Sequence, residues 1–80
     1  MAYATTTVFG PTSQYKESLS VIGRVTGADT VQVQLELDVD DWETVYTIEV
    51  GSDNAVRVFN HGERIRVVPS GAASFTVLGL

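Results

Sequence analysis

Few side chains in this 80-residue chain could carry acid–base or nucleophilic chemistry. His61 is the one histidine, and it stands before Gly62 in a segment typical of a tight turn. A general base needs a nucleophile and an orienting group within hydrogen-bond reach, and the neighbouring sequence supplies neither. No serine lies in a G-x-S-x-G nucleophile elbow, and the chain has no cysteine. We therefore predict that the protein has no catalytic residues and is not an enzyme.

The acidic cluster Asp38, Asp40, Asp41 and Glu43 is the one group that could hold a metal ion, because hard cations bind closely spaced carboxylates. A calcium loop also needs a glycine at its sixth position and a glutamate at its twelfth. The stretch DVDDWETVYTIE has the glutamate, Glu49, but not the glycine. Aspartates also suit turns, where they bond to their own backbone. We predict a solvated turn, with no metal and no cofactor.

Two aromatic residues, Trp42 and Tyr46, could stack on sugar rings beside the loop at residues 38–41. A tryptophan at the start of a strand in a small domain is more often buried against the opposite sheet. We expect Trp42 in the core, and a carbohydrate-binding module is kept as an alternative function.

Three of the five basic residues are close together in the sequence, at Arg57, Arg64 and Arg66. A tight hairpin turn at residues 61–62 would place Phe59 opposite Arg64, and Arg57 opposite Arg66, on the outer face. Facing arginines repel each other unless a carboxylate lies between them.

Two interpretations of this hairpin face stay open. In one, Glu36 or Glu49 supplies the carboxylate and the arginines form an intramolecular ladder. In the other, the face docks on an acidic partner, since arginine and aromatic residues are enriched at the cores of interfaces.

The elements that must position these residues are predicted to be strands. In the stretch Val31 to Val50, apolar and polar residues alternate with the two-residue period of a half-buried strand, interrupted by the polar turn at residues 38–41. Similar short runs, separated by Gly, Pro, Asn and Asp turns, follow to the end of the chain. We predict an all-β fold, a small antiparallel β-sandwich (immunoglobulin-like or barrel-like) of six or seven strands.

The first residues of the chain, 1–14, have no clear period and lead into the turn signal Gly10-Pro11. We predict that residues 1–14 form an extended N-terminal arm and that residues 15–80 form the sandwich domain. Fully extended, such an arm reaches on the order of 40 Å. Four of its residues are expected to contact a partner: Thr5, Thr7, Val8 and Phe9.

Charge and hydropathy exclude several classes of partner. Ten acidic and five basic residues give a net charge of −5, which is the wrong sign for binding a phosphate backbone, so we expect no nucleic-acid partner. No run approaches the roughly 20 apolar residues that span a bilayer, and no targeting segment is recognisable, so we expect no membrane partner.

Residues 30–80 contain the strand VQVQLELDVDDW, in which a polar turn precedes a tryptophan, and the run EVGSDNAVRVFNHGERIRVVPSGAASFTVLGL. In this run a valine–arginine strand, a tight turn, an R-I-R-V strand and a closing S-G-A-x-S-x-T-V strand follow one another. The pattern resembles the short β-sandwich structural proteins of tailed bacteriophage virions.

This resemblance implies a virion protein made in the host cytoplasm. It would be a capsid decoration or cement protein that binds adjacent subunits of the major capsid protein, or other virion subunits, and forms a homo-oligomer, with a trimer favoured. A tail or adaptor role is the alternative within the same class. Arg57, Phe59, Arg64 and Arg66 are the residues of the domain expected to contact a partner.

Overall fold

The fold is given by a computed structural model, which describes residues 2–9, 18–59 and 64–78. Every regular element in these ranges is a β-strand, and every strand pair is antiparallel. The strands are β1 (Ala2–Tyr3), β2 (Thr7–Phe9), β3 (Ser18–Arg24), β4 (Thr30–Asp38), β5 (Asp41–Glu49), β6 (Ala55–Phe59), β7 (Ile65–Pro69) and β8 (Ser74–Leu78). The predicted all-β antiparallel sandwich is confirmed.

The strands form two four-stranded sheets, with the order β1-β8-β3-β6 in the first and β2-β7-β4-β5 in the second. This is the strand order of a jelly roll, in which the first half of the chain pairs with the second half as one long hairpin rolled into two layers. The pairs β1–β8, β2–β7, β3–β6 and β4–β5 are the successive rungs of that hairpin. The β4–β5 turn is its tip.

The core is the thin apolar layer between the two sheets. The alternation on β4 buries Val31 and Val33 and turns the glutamines between them outward, as the two-residue period predicts. The other strands contribute alternate residues in the same way. The buried apolar residues in the described part of the chain are Phe9, Leu19, Val21, Val31, Val33, Ile48, Val58, Ile65, Val67, Ala73, Phe75 and Val77.

Gly23 on β3 lets the two sheets approach each other closely. A Cβ atom at this position would lie 2.9 Å from Cγ2 of Ile48, a buried residue of the opposite sheet. The register from Ser20 to Arg24 against β8 is continuous, so Gly23 does not mark a bulge in this pair. The glycine is therefore needed for packing between the sheets.

A β-bulge in β5 changes which side chains face the core. Tyr46 pairs with Val33 and Thr44 pairs with Gln34, so Val45 is an extra residue that has no partner on β4. The bulge reverses the alternation, because residues on either side of it lie one step out of phase. Tyr46 packs against the core, whereas Trp42 lies on the outer face, and the prediction of a buried Trp42 is wrong.

The predicted hairpin between β6 and β7 is also wrong. β6 pairs with β3 in the first sheet, and β7 pairs with β4 and β2 in the second, so the chain crosses between the layers after Phe59. Arg57 is opposite Ser20, not Arg66. The turn itself, with His61 and Gly62, lies outside the described residues.

Two parts of the N-terminal segment, Ala2–Tyr3 and Thr7–Phe9, are strands of the sandwich. Tyr3 in β1 pairs with Phe75, and Phe9 in β2 pairs with Ile65. The rings of Tyr3, Phe9 and Phe75 form one aromatic cluster, with centroids 5.2 to 6.4 Å apart. Residues 2–9 thus bridge the edges of both sheets instead of leaving the domain. The predicted domain boundary, between residues 14 and 15, lies outside the described residues.

This placement predicts that substitutions at neighbouring positions of β2 change the free energy of unfolding by very different amounts. Phe9→Ala should lower the free energy of unfolding by about 3–5 kcal/mol, because it empties a buried aromatic site. Val8→Ala, on the exposed face of the same strand, should change it by only about 0.5 to 1 kcal/mol. Urea unfolding followed by circular dichroism measures both. If both substitutions lower the free energy of unfolding by the same small amount, residues 2–9 form a free arm and are not part of the sandwich.

Candidate functional site

The polar surface of the second sheet is the most organised cluster of side chains in the described part of the chain. Gln32, Gln34 and Glu36 project from β4 on the side opposite the core, with β5 on one side of them and β7 on the other. Strand pairing brings residues of three strands into two parallel rows on this surface.

The first row joins Thr44 on β5, Gln34 on β4 and Arg66 on β7. Nε of Arg66 donates a hydrogen bond to Oε1 of Gln34 at 2.6 Å. The amide nitrogen of Gln34 donates to Oγ1 of Thr44 at 3.1 Å and to Oε1 of Gln32 at 3.2 Å. Val8 on β2 pairs with Arg66 and extends this row to the edge of the sheet.

The second row joins Trp42 on β5, Glu36 on β4 and Arg64 just before β7. The guanidinium of Arg64 makes a two-point contact with the carboxylate of Glu36: Nε donates to Oε1 at 2.8 Å, and the second nitrogen donates to Oε2. The backbone N–H of Glu36 also donates to the carbonyl of Arg64 at 3.1 Å. This geometry fixes the planes of both side chains.

Two arginines cover the ring of Trp42. The central guanidinium carbon lies 4.5 Å from the ring centroid for Arg66 and 5.5 Å for Arg64. A cation over an aromatic face contributes about 0.5 to 1 kcal/mol at an exposed site, so the two rows stabilise each other through the indole. We call this surface, made of Gln34, Glu36, Trp42, Thr44, Arg64 and Arg66 with Val8 at its margin, the arginine–tryptophan face.

The ion pair also moves the pKa of each group further from neutral pH. Hydrogen bonds from Arg64 lower the pKa of Glu36 below its ordinary value of 4.5; desolvation opposes this, and the backbone N–H of Asp40 adds to it. The same hydrogen bonds raise the pKa of Arg64. Both side chains therefore stay charged at neutral pH.

The structure brings together some of the residues predicted to bind a partner and separates others. Val8, Arg64 and Arg66 are on the arginine–tryptophan face. Arg57 is exposed on the other sheet, and Phe59 belongs to the same strand, β6; its side chain lies outside the described residues.

The remaining predicted contacts are in the N-terminal segment. Phe9 is buried in the core and presents no surface. Thr5 and Thr7 are near the sheet edge, where the hydroxyl of Thr7 donates to the carbonyl of Thr5 at 3.0 Å.

The roles of Trp42 and Gln34 on this face were not predicted from the sequence. The alternation of β4 already placed Gln34 outward, but the bulge that turns Trp42 to the same side leaves no clear sequence signal. Because of that bulge, Trp42 and Tyr46 face opposite sides of β5 and cannot form a joint platform for a sugar ring. One of the two open interpretations of the arginines is realised in part, since Glu36 pairs with Arg64.

Other regions of the described residues contain fewer side chains that could form a functional site. Among the described residues, no group of three or more acidic or histidine side chains is arranged to hold a metal ion. An open cleft lies at the far end of β4 and β5 from their hairpin, and its charged lining residues are Arg24 and Glu49. The described ranges contain no helix long and apolar enough to cross a membrane.

Comparison with known proteins gives no relative: no family model, no curated protein and no solved structure matches this chain significantly.

The position of Trp42 predicts a specific fluorescence response. Arg66→Ala should shift the emission of this single tryptophan to longer wavelength and increase its quenching by acrylamide, because the variant uncovers the indole ring. Arg57→Ala removes the same charge from the other sheet and should leave both unchanged. If Arg66→Ala also leaves the emission and the quenching unchanged, Arg66 does not cover the indole ring and Trp42 is shielded by other groups.

The ion pair predicts a pH-dependent contribution to stability. Since the pKa of Glu36 is lowered in the folded state, its stabilising effect is present above pH 4.5 and is lost as the pH falls through the folded-state pKa. Glu36→Gln should be less stable than the wild type at pH 7, and the difference should shrink progressively below pH 4.5. Urea unfolding at a series of pH values measures it. If the difference in stability between the wild type and Glu36→Gln stays constant over these pH values, the Glu36–Arg64 ion pair is not its source.

Proposed function

We propose that this chain is a non-enzymatic structural subunit of a tailed-bacteriophage virion, a decoration protein that binds adjacent capsid subunits on the head and forms a homo-oligomer. The setting comes from the resemblance of residues 30–80 to small virion β-sandwich proteins. The fold is compatible with it, because jelly rolls occur in viral capsid domains. They also occur in lectins, so the fold alone does not choose a function.

The observation that carries the proposal is the arginine–tryptophan face. Arginine and tryptophan are the residue types that contribute most binding energy at protein interfaces. Here they are held in fixed positions by hydrogen bonds and stacking, so little side-chain entropy is lost when a partner binds. The half-exposed Val8 provides apolar area at the margin.

The free sheet edges support an assembly role. β2 and β5 are the edges of the sheet that carries this face, and β1 and β6 are the edges of the other. Edge strands present unpaired backbone groups, and a subunit with a thin core is stabilised when a partner covers such edges.

The first experiment locates the chain in particles. Phage particles that carry this sequence are purified on a density gradient and analysed by mass spectrometry and by antibody labelling in the electron microscope. The proposal expects the chain to sediment with the particles and the label to lie on the head. Label on the tail would favour the adaptor alternative, and a chain found only in the soluble fraction would refute a virion role.

The second experiment tests the face. Arg66→Glu should reduce incorporation into particles at least about tenfold, as expected for an interface residue that contributes more than about 1.4 kcal/mol. Arg57→Glu makes the same charge change on the other sheet and should incorporate normally. Circular dichroism confirms that both variants are folded. Normal incorporation of Arg66→Glu would exclude this face as the docking surface.

The carbohydrate-binding alternative is tested on the same tryptophan. A saccharide-dependent change in Trp42 fluorescence that is lost in Trp42→Phe would favour that alternative and count against the assembly role.

A further inference from the structure

The tip of the β4–β5 hairpin exposes two large apolar side chains. Leu37 is 63% exposed and Val39 is 84% exposed. The register shift between Glu36 and Asp38 leaves Leu37 as an extra residue without a partner on β5, and Val39 lies in the turn. Hairpin turns normally carry Gly, Asn, Asp or Ser, so the exposed Val39 in the turn, next to the exposed Leu37 of β4, requires an explanation.

The tip is held in one conformation. The backbone N–H of Val39 donates to the carboxylate of Asp38 at 2.8 Å, and that of Asp40 donates to Oε2 of Glu36 at 3.2 Å. Asp40 has a φ of 57°, a left-handed conformation that aspartate tolerates better than most residues. Because Glu36 is also bound to Arg64, the turn is anchored to β7. The two apolar side chains are thus presented on a fixed support.

Negative charge surrounds this apolar pair. Asp38, Asp40, Asp41 and Glu43 are all exposed around the turn. In a chain whose net charge is −5, most of the excess acid is therefore at one end of one hairpin. A partner for the tip needs apolar area that is bordered by positive charge.

The arginine–tryptophan face has these properties. Arg66 contacts Gln34 and Trp42 and, within the described residues, no carboxylate. Val8 lies beside Arg66 and is 46% exposed, and the half-buried indole of Trp42 adds apolar area. The chain thus carries both members of a complementary pair of surfaces, one at the tip of its central hairpin and one on its sheet.

We propose that the hairpin tip of one copy docks on the arginine–tryptophan face of a second copy. Leu37 and Val39 of the first copy cover Val8 and Trp42 of the second, and the acidic residues of the tip face Arg66. The two surfaces differ, so the contact is head-to-tail and each copy keeps one surface for a further neighbour. This inference rests on the proposed assembly function and identifies a second copy of the chain as one partner.

The test uses purified chain in solution, with no particles present. Sedimentation equilibrium is measured over a range of concentrations at low salt and at 1 M NaCl. The wild type should self-associate, and high salt should weaken the association by reducing the attraction between the tip and Arg66. A wild type that remains monomeric at all concentrations would overturn the inference.

Complementation between variants tests the head-to-tail geometry. The tip variant Leu37→Ser with Val39→Ser and the face variant Arg66→Glu should each weaken self-association at least about tenfold. Each keeps one intact surface, so an equimolar mixture should form a one-to-one heterodimer that does not grow further. The control Arg57→Glu should associate like the wild type. Variants that associate normally, or a mixture that stays monomeric, would refute the geometry.

A second face variant keeps the test valid if Arg66→Glu is unstable. Val8→Glu changes a different strand and should give the same result in the mixture, and urea unfolding confirms that each variant is folded. The outcome is separable from that of the proposed function. A monomer that still enters particles refutes only this inference, whereas an oligomer that is absent from particles refutes only the virion role.

Discussion

The thin apolar layer between the two sheets is the constraint on which the rest of the structure depends. There is no disulfide to reinforce it, and each strand from β2 to β8 adds only one or two buried side chains. In a layer this thin, each buried side chain makes up a large part of the core. The packing of Phe9 therefore makes β2 part of the domain. Because a single apolar layer holds the sheets together, only the inward positions of each strand are needed for the core. The outward positions can carry other side chains. The outer face of the second sheet can therefore be polar and specialised.

The alternation of apolar and polar residues predicted the fold class and most of the inward positions, because a two-residue period is a local property. On β4, for example, Val31 and Val33 are buried, as the alternation predicts. The pairing of β6 was not predictable in the same way. Turn residues indicate that the chain reverses, but they do not indicate whether the next strand lies beside the last one or in the opposite layer. In a jelly roll, most reversals cross between layers.

The candidate site was predictable only in part, because a bulge, like the layer to which a strand belongs, leaves no clear signal in the sequence. The arginines at 64 and 66 and the carboxylate of Glu36 could be named from the sequence, but the tryptophan that links them could not be placed. The extra residue Val45 puts Trp42 out of phase with Tyr46 and Ile48, and many strand sequences can accommodate such a bulge with no change in composition. The network that results crosses β5, β4 and β7, so the same contacts that organise the surface also tie three strands together.

Val45 has an effect beyond the direction of Trp42. β5 is the longest strand at a free edge of the described sheets, and its outer backbone groups would suit pairing with an extended segment from any other chain. The extra residue breaks the regular spacing of donors and acceptors along that edge and adds local twist. Deleting it, with the pairs Gln34–Thr44 and Val33–Tyr46 retained, would leave every neighbour on its present side, yet it would give β5 a regular edge from Trp42 to Glu49 that could pair with another strand. The irregularity thus disfavours extension of the sheet by pairing of another strand along β5.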